Sequence, residues 1–184
     1  HTWLRRQRQM CIRDRISKVY IGTDKDVMFG NTYVPPEGTR YQSPAPFTEL
    51  QEEVRKYENY YVCIAGDLNS HTGTDRDYVV AEDFEPEQID FDSETQNYLN
   101  SIKLLKHHKI SLSRSNVDHR KNVYGNQLID FCKFNNLFIC NGRLAQDLDG
   151  KATTADGSLI DYLVASPTIL INVKKFFIHV KMHQ

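Results

Sequence analysis

The sequence YYVCIAGDLNS, at residues 60–70, predicts a buried β-strand followed directly by polar side chains. Its β-branched, aromatic and small apolar residues are typical of such a strand, and the run ends at Gly66. Because residues two apart in an extended chain point to the same side, we expect Asp67 and Asn69 to lie side by side and Leu68 to enter the core. A carboxylate beside a carboxamide can hold a metal-bound water, accept its proton or donate to a phosphate oxygen. Taken alone, Gly-Asp-x-Asn fits an ordinary turn better.

The preceding residues predict that this strand belongs to a βαβ-like unit. Residues 16–21 and 27–34 have the alternation of two hairpin strands, and Pro35 and Pro36 must end the second strand beside Tyr33. Residues 46–56 have the apolar spacing of an amphipathic helix that leads into the strand at 60–70. Ligands in such sheets bind at the carboxyl ends of strands, where Asp67 and Asn69 lie. His71 lies in the loop that follows. It is a candidate metal ligand or base, and the simpler interpretation is a histidine exposed to solvent.

The following residues predict two helices, at 95–108 and 124–136, and three strands, at 137–140, 158–166 and 172–180. Asn141 follows the first of these strands, and Ser158 lies at the start of the second or at a bulge. Asp161 lies within an apolar run, and a buried carboxylate there would need hydrogen-bond donors or a histidine. We interpret residues 75–94 as an acidic surface insertion and residues 111–121 as a polar connector.

Composition indicates one intracellular domain without a membrane-spanning segment. Forty per cent of the 184 residues are hydrophobic, and no apolar run approaches the ~20 residues that cross a bilayer. Residues 1–15 resemble a translated sequencing adapter, and the functional alternative is a basic arm that binds nucleic acid. Without their five Lys+Arg and one Asp+Glu, 18 basic and 23 acidic residues remain, a net charge of −5. This charge argues against a generally basic nucleic-acid binder. Cys63, Cys132 and Cys140 suggest buried thiols in a reducing nuclear or cytoplasmic compartment, and no zinc site.

Three motifs, in this order, resemble the endonuclease/exonuclease/phosphatase family: Tyr33-Val34-Pro35-Pro36, Gly66-Asp67-Leu68-Asn69 and Ser158-Leu159-Ile160-Asp161-Tyr162. The residues between them resemble the apurinic-type endonuclease domain of non-LTR (LINE-like) retrotransposons, and the resemblance covers residues 16–184. This linking pattern comprises Arg114-Ser115-Asn116, Asp118, Asn122-Val123-Tyr124-Gly125, Asn141-Gly142-Arg143, Asp147 and Gly150.

The resemblance implies an α/β fold, specifically a four-layer sandwich of two β-sheets flanked by helices (DNase I-like). It also implies Mg²⁺- or Mn²⁺-dependent hydrolysis of DNA phosphodiesters. By resemblance, Asp67 activates water and shares the metal with Asn69, which also holds the scissile phosphate. Tyr33 contacts the phosphate or the metal shell, and Asp161 orients a catalytic histidine. Ser158 and Asn141 would line the substrate site.

The chain departs from this family at both ends. The metal-binding glutamate and the asparagine of the first family strands have no counterpart in residues 16–21, and the chain ends at His183-Gln184 without Ser-Asp-His. We therefore expect an incomplete domain with little or no nuclease activity. Two alternatives remain open: another phosphodiesterase or phosphatase of the same family, or a non-catalytic remnant or binding module.

Overall fold

The structure is a computed structural model that describes residues 17–19, 24–84, 93–144 and 146–178. Its strands form one mixed five-stranded sheet in the order β1-β2-β3-β5-β4. Only β2 and β3 are parallel, and the other neighbouring pairs are antiparallel. The strands are β1 (Ser17–Val19), β2 (Val27–Tyr33), β3 (Tyr61–Asp67), β4 (Phe138–Ile139) and β5 (Asp161–Ala165).

The described residues also form four α-helices and a short 3-10 helix at Ala81–Asp83. Prolines occupy the first positions of two of these helices, where the missing N–H costs nothing. Another helix begins after Asn122, whose side chain accepts the backbone N–H of Gly125 as an N-cap. The α-helices are α1 (Pro46–Arg55), α2 (Ser93–His107), α3 (Val123–Phe134) and α4 (Pro167–Asn172).

Alternating strand side chains divide the core into two layers, one on each face of the sheet. Met28, Val62 and Val164 pack with α1 and α3, whereas Cys63 and Ala165 pack with α2 and α4. This alternation is the period of two expected for strands, and here both faces are covered by helices. The protein is therefore an α/β protein with helices on both sides of a mixed sheet. The predicted hairpin pairing, the α1 crossover and the parallel β2–β3 pair are confirmed.

The predicted strand at residues 172–180 is wrong within the described residues. Asn172 is the last residue of α4, and residues 173–178 have no regular secondary structure. Pro167 accounts for the difference, because its fixed φ favours the first turn of a helix directly after β5. Residues 179 and 180, together with 1–16 and 20–23 of the N-terminal predictions, lie outside the described ranges.

Two segments interpreted as surface polar chain are tied into the interior. Asp77 is buried and forms a two-point ion pair with buried Arg143, at 2.7 and 2.9 Å. Arg143 also donates to the carbonyl groups of Ser111 and Leu112, which fixes the predicted connector against the end of β4. Asp77 is therefore not part of an acidic surface, because its charge is neutralised inside the protein; residues 85–92 lie outside the described ranges.

Cys63, Cys132 and Cys140 are buried free thiols, as expected. Within the described ranges, none of the helices has the length and apolar character needed to cross a bilayer.

Candidate functional site

Three of the predicted site residues lie on one row across the sheet. Tyr33 pairs with Asp67 in the parallel β2–β3 register, and Asp67 pairs with Asp161 in the antiparallel β3–β5 register. Directly opposed residues on neighbouring strands project from the same face, with Cβ atoms about 5 Å apart. The sheet therefore places a phenol and two carboxylates side by side. The row lies at the end of β2 and β3 and the start of β5, which is the predicted edge.

Asn69 is fixed beside this row by two hydrogen bonds. Its backbone N–H donates to Asp67 Oδ1 at 3.0 Å, and its side-chain Nδ2 donates to the Val34 carbonyl at 2.8 Å. Asn69 has a φ of 46°, a left-handed conformation that asparagine tolerates well. Between the two polar residues, Leu68 is fully buried, as predicted. Asp67 and Asn69 therefore form a hydrogen-bonded turn at the end of β3, as the turn interpretation expects. Their role in a site stays a prediction.

Gly66 allows Asp67 to approach the neighbouring strand closely. Its φ is 149°, and a Cβ at this position would lie 1.8 Å from the Thr32 carbonyl oxygen. Any side chain here would push β3 away from β2. The glycine of Gly-Asp-x-Asn is therefore required by the packing that brings Asp67 beside Tyr33.

Asp67 has an electrostatic environment suited to accepting a proton. Burial raises the pKa of its carboxyl, and the negative charge of Asp161 raises it further, while the Asn69 N–H acts in the opposite direction. A half-buried carboxylate with a raised pKa is a better proton acceptor than an ordinary surface aspartate. Tyr33 is 50% exposed, so that its hydroxyl is open to a ligand on this face.

Asp161 is exposed, contrary to the expectation of a buried carboxylate. It is the first residue of β5, and the buried residues of the apolar run follow it. The alternating pattern of β5 explains the error, because it leaves the strand's first residue at the open edge. Asp161 therefore needs no histidine to compensate for desolvation.

Asn141 and Ser158 are buried, and their side chains are engaged within the protein. Asn141 Nδ2 donates to the Asp161 carbonyl at 3.2 Å, and its Oδ1 accepts the Leu163 N–H at 3.0 Å. Asn141 thus extends the β4–β5 pairing with its side chain and positions Asp161. Ser158, which precedes β5, accepts from Arg120 at 2.6 Å and donates to Asp156 at 2.8 Å. In this arrangement both residues support the site from inside instead of lining it.

The structure joins two residues that the sequence named separately, His71 after the β3 strand and Asp118 in the linking pattern, into a second polar cluster. His71 Nδ1 lies 2.7 Å from Oδ2 of Asp118, a carboxylate that is 3% exposed. Arg120 and the backbone N–H of Leu159 also donate to Asp118. His71 is therefore not a merely solvated loop histidine. The sequence named His71 and Asp118 separately but could not predict their contact, because the two residues lie 47 positions apart in irregular segments.

Asp67 and Asp161 are the two carboxylates at this edge of the sheet that could take part in holding a divalent cation. Within the described ranges, no three or more His, Cys, Asp and Glu side chains are grouped closely enough to hold a metal. Mg²⁺ is commonly bound through one or two carboxylates, with water and substrate phosphates completing its shell. Because neighbouring carboxylates repel each other, a divalent cation at this edge would relieve that repulsion. Asp67, Asn69 and Asp161 are the residues that would contact it.

Comparison with known proteins gives no relative from which to assign the chain. No protein-family model, curated protein or solved structure matches it.

Proposed function

We propose that this chain carries part of the active site of a metal-dependent phosphodiester hydrolase, a DNA-nicking endonuclease of the retrotransposon type. The row formed by Tyr33, Asp67 and Asp161 is the observation that supports the proposal most strongly. The sequence placed these residues in three separate motifs, and the strand register brings them together. The finer fold, a four-layer sandwich with a second sheet, belongs to the same proposal.

Asp67, Asn69 beside the row and Tyr33 each have a task in phosphodiester hydrolysis. Asp67 accepts a proton from the attacking water, for which burial and Asp161 raise its pKa. Asn69 presents an amide whose second N–H can donate to a non-bridging phosphate oxygen, while the first holds the Val34 carbonyl. The exposed Tyr33 hydroxyl donates to the same phosphate. A bound Mg²⁺ would supply neutralisation of the charge that develops on the phosphate.

The proposal is tested by locating the metal site in solution. Mn²⁺ is added at substoichiometric amounts to the ¹⁵N-labelled chain, and paramagnetic broadening of the amide signals is mapped. We expect the strongest broadening at Asp67, Asn69 and Asp161. The variant Asp67→Asn should lose this pattern, whereas the matched variant Asp130→Asn, on the exposed side of α3, should keep it.

Nicking of supercoiled plasmid with Mg²⁺ is the accompanying activity measurement. Any cleavage, however slow, should disappear in Asp67→Asn and persist in Asp130→Asn. Broadening that spreads over the acidic surface without preference for the β3 edge would overturn the proposal. Cleavage that is equal in both variants would overturn it as well.

A further inference from the structure

Asn69 lies in a turn that is held by three hydrogen bonds. Its backbone N–H donates to Asp67 Oδ1, and its side-chain Nδ2 donates to the Val34 carbonyl. Its own carbonyl accepts the third bond, from Asn122 Nδ2 at 3.1 Å, which comes from the start of α3, 53 residues further along the chain. Asparagine tolerates the left-handed φ of 46° found at Asn69 but is not confined to it, so that surrounding contacts decide whether it is kept. The bond from Asn122 is one of the contacts that keep it.

Asn122 binds this loop and the helix with the two ends of one side-chain amide. Its Oδ1 accepts the backbone N–H of His71 at 2.8 Å and that of Gly125 at 2.7 Å. The backbone N–H of Asn122 donates to the His71 carbonyl at 3.2 Å. Asn122 therefore caps α3 and also holds the loop on both sides of Ser70.

Gly125 allows the loop to lie directly on the first turn of α3. A Cβ at Gly125 would lie 1.9 Å from the His71 carbonyl oxygen and 2.5 Å from the carbon of that carbonyl. The loop and the helix thus meet backbone to backbone. Their separation is set by this contact, which places the Asn122 amide within reach of the Asn69 carbonyl.

The same turn of α3 also binds the loop that follows Tyr33. The backbone N–H of Tyr124 donates to Glu37 Oε1 at 2.9 Å, and the Tyr124 hydroxyl donates to the Ser43 carbonyl at 3.0 Å. The first turn of α3 is therefore bound to both loops that leave the row, the one after Tyr33 and the one after Asp67. A helix that is buried against the sheet through its apolar face is a rigid support for both loops.

We propose that Asn122 is a positioning residue of the site, because its Nδ2 holds the Asn69 carbonyl and thereby fixes the direction in which Asn69 presents its side chain beside Asp67. This inference rests on the proposed function. Without that bond the backbone of Asn69 can relax toward more common φ values, and its side chain then turns away from the Val34 carbonyl. Asn122 acts through Asn69 and does not itself contact the metal or the phosphate.

The variant Asn122→Asp separates this role from capping of the helix. Its carboxylate still accepts the N–H groups of His71 and Gly125, and aspartate caps a helix as well as asparagine does. It cannot donate to the Asn69 carbonyl. We expect the melting temperature to change by no more than about 4 °C. Exchange of the Asn69 backbone N–H with solvent should become about tenfold faster in the metal-free chain.

Binding of Mn²⁺ gives a test in which positioning and charge predict opposite results. An added negative charge should tighten the binding of a cation, whereas a displaced Asn69 should weaken it. We expect Asn122→Asp to raise the dissociation constant for Mn²⁺ about tenfold. The matched variant Asn126→Asp adds the same charge at an exposed position of the same helix and should not weaken binding. Asn122→Ser lacks the donor without adding charge, and it should weaken binding as Asn122→Asp does.

The location of the Mn²⁺ broadening distinguishes failure of the inference from failure of the proposed function. If the parent chain broadens preferentially at Asp67, Asn69 and Asp161 but both Asn122 variants bind Mn²⁺ as tightly as the parent, the inference fails and the proposed function stands. Faster exchange at Asn69 without weaker binding would also overturn the inference, because Asn122 would then only stabilise the turn. If the parent chain shows no preference for this edge, both fail.

Discussion

At the scale of single residues, the ionised form of Asp67 lowers the stability of the fold. Burial and the charge of Asp161 raise its pKa, which means that ionisation of Asp67 at neutral pH opposes folding. Between the unfolded and the raised folded pKa, the native state binds more protons than the unfolded state. Stability therefore falls as pH rises through that window.

Because ionised Asp67 opposes folding, the variant Asp67→Asn should stabilise the protein at neutral pH. The amide oxygen can still accept the Asn69 N–H, but the repelled charge is removed. We expect the variant to be more stable than the parent at pH 7, by less than about 1 kcal/mol because solvent screens a half-exposed carboxyl, and the difference to shrink as pH falls and the parent carboxyl becomes protonated. Urea denaturation at several pH values measures both effects. Asp130→Asn serves as the control and should change stability by about 0.5 kcal/mol or less throughout. A destabilised Asp67→Asn at pH 7 would contradict the prediction.

Sequence reasoning at this scale succeeded for Asp67, Asn69 and Tyr33 because alternation and strand ends determine where they lie. It did not succeed for Asp161, Asn141 and Ser158, whose burial depends on neighbours distant in sequence. Asn141 shows the reason: both halves of its amide bind the backbone of β5, 20 and 22 residues away. A polar residue directly after a strand is expected to be exposed to solvent. Its hydrogen bonds become visible only when the neighbouring strand, here β5, is known.

At the scale of elements, several residues between the three sequence motifs are packing residues. Arg143 binds the carbonyls of Ser111 and Leu112, and Ser115 pairs with Gly142 through a backbone hydrogen bond of 3.0 Å. Asp147 accepts the backbone N–H groups of Gly142 and Lys151 and is fully buried. Except for α4 and the wrong strand at residues 172–180, the helices and strands were predictable because each has its own periodicity. The sequence has no periodic pattern of apolar residues where these two loops pack on each other. Residues 111–121 were therefore interpreted as a polar connector.

The close approach of these two loops predicts different costs for two alanine substitutions. Gly142 and Gly38 have nearly equal φ values, 70° and 75°, so that the backbone strain of an alanine should be similar. A Cβ at Gly142 would lie 1.8 Å from the Ser115 carbonyl oxygen, whereas a Cβ at Gly38 would have no atom within 4 Å. We expect Gly38→Ala to cost about 1 kcal/mol and Gly142→Ala to cost more than about 3 kcal/mol. Urea midpoints compare them directly. Equal costs would show that the loops separate easily.

At the scale of the whole molecule, charge divides the chain into two unlike parts. Residues 1–15 carry five arginines and one aspartate, whereas the other 169 residues have a net charge of −5. If the proposed phosphodiesterase site is correct, a divalent cation would have to help this acidic body approach DNA, because like charges repel the DNA backbone. The net charge itself follows from the sequence alone, since it does not depend on the fold.

The same division predicts how binding to a DNA duplex depends on salt. Each phosphate that a cation neutralises contributes about −0.9 to the slope of log K against log salt concentration. We expect replacement of the five arginines at positions 5, 6, 8, 13 and 15 by glutamine to reduce the slope by up to about 4.5 without Mg²⁺. The Mg²⁺-dependent part of binding should survive that replacement and disappear in Asp67→Asn. Fluorescence anisotropy with a labelled duplex measures both parts. An unchanged slope would mean that the basic segment does not contact DNA, and Mg²⁺-dependent binding that persists in Asp67→Asn would place the metal elsewhere on the protein.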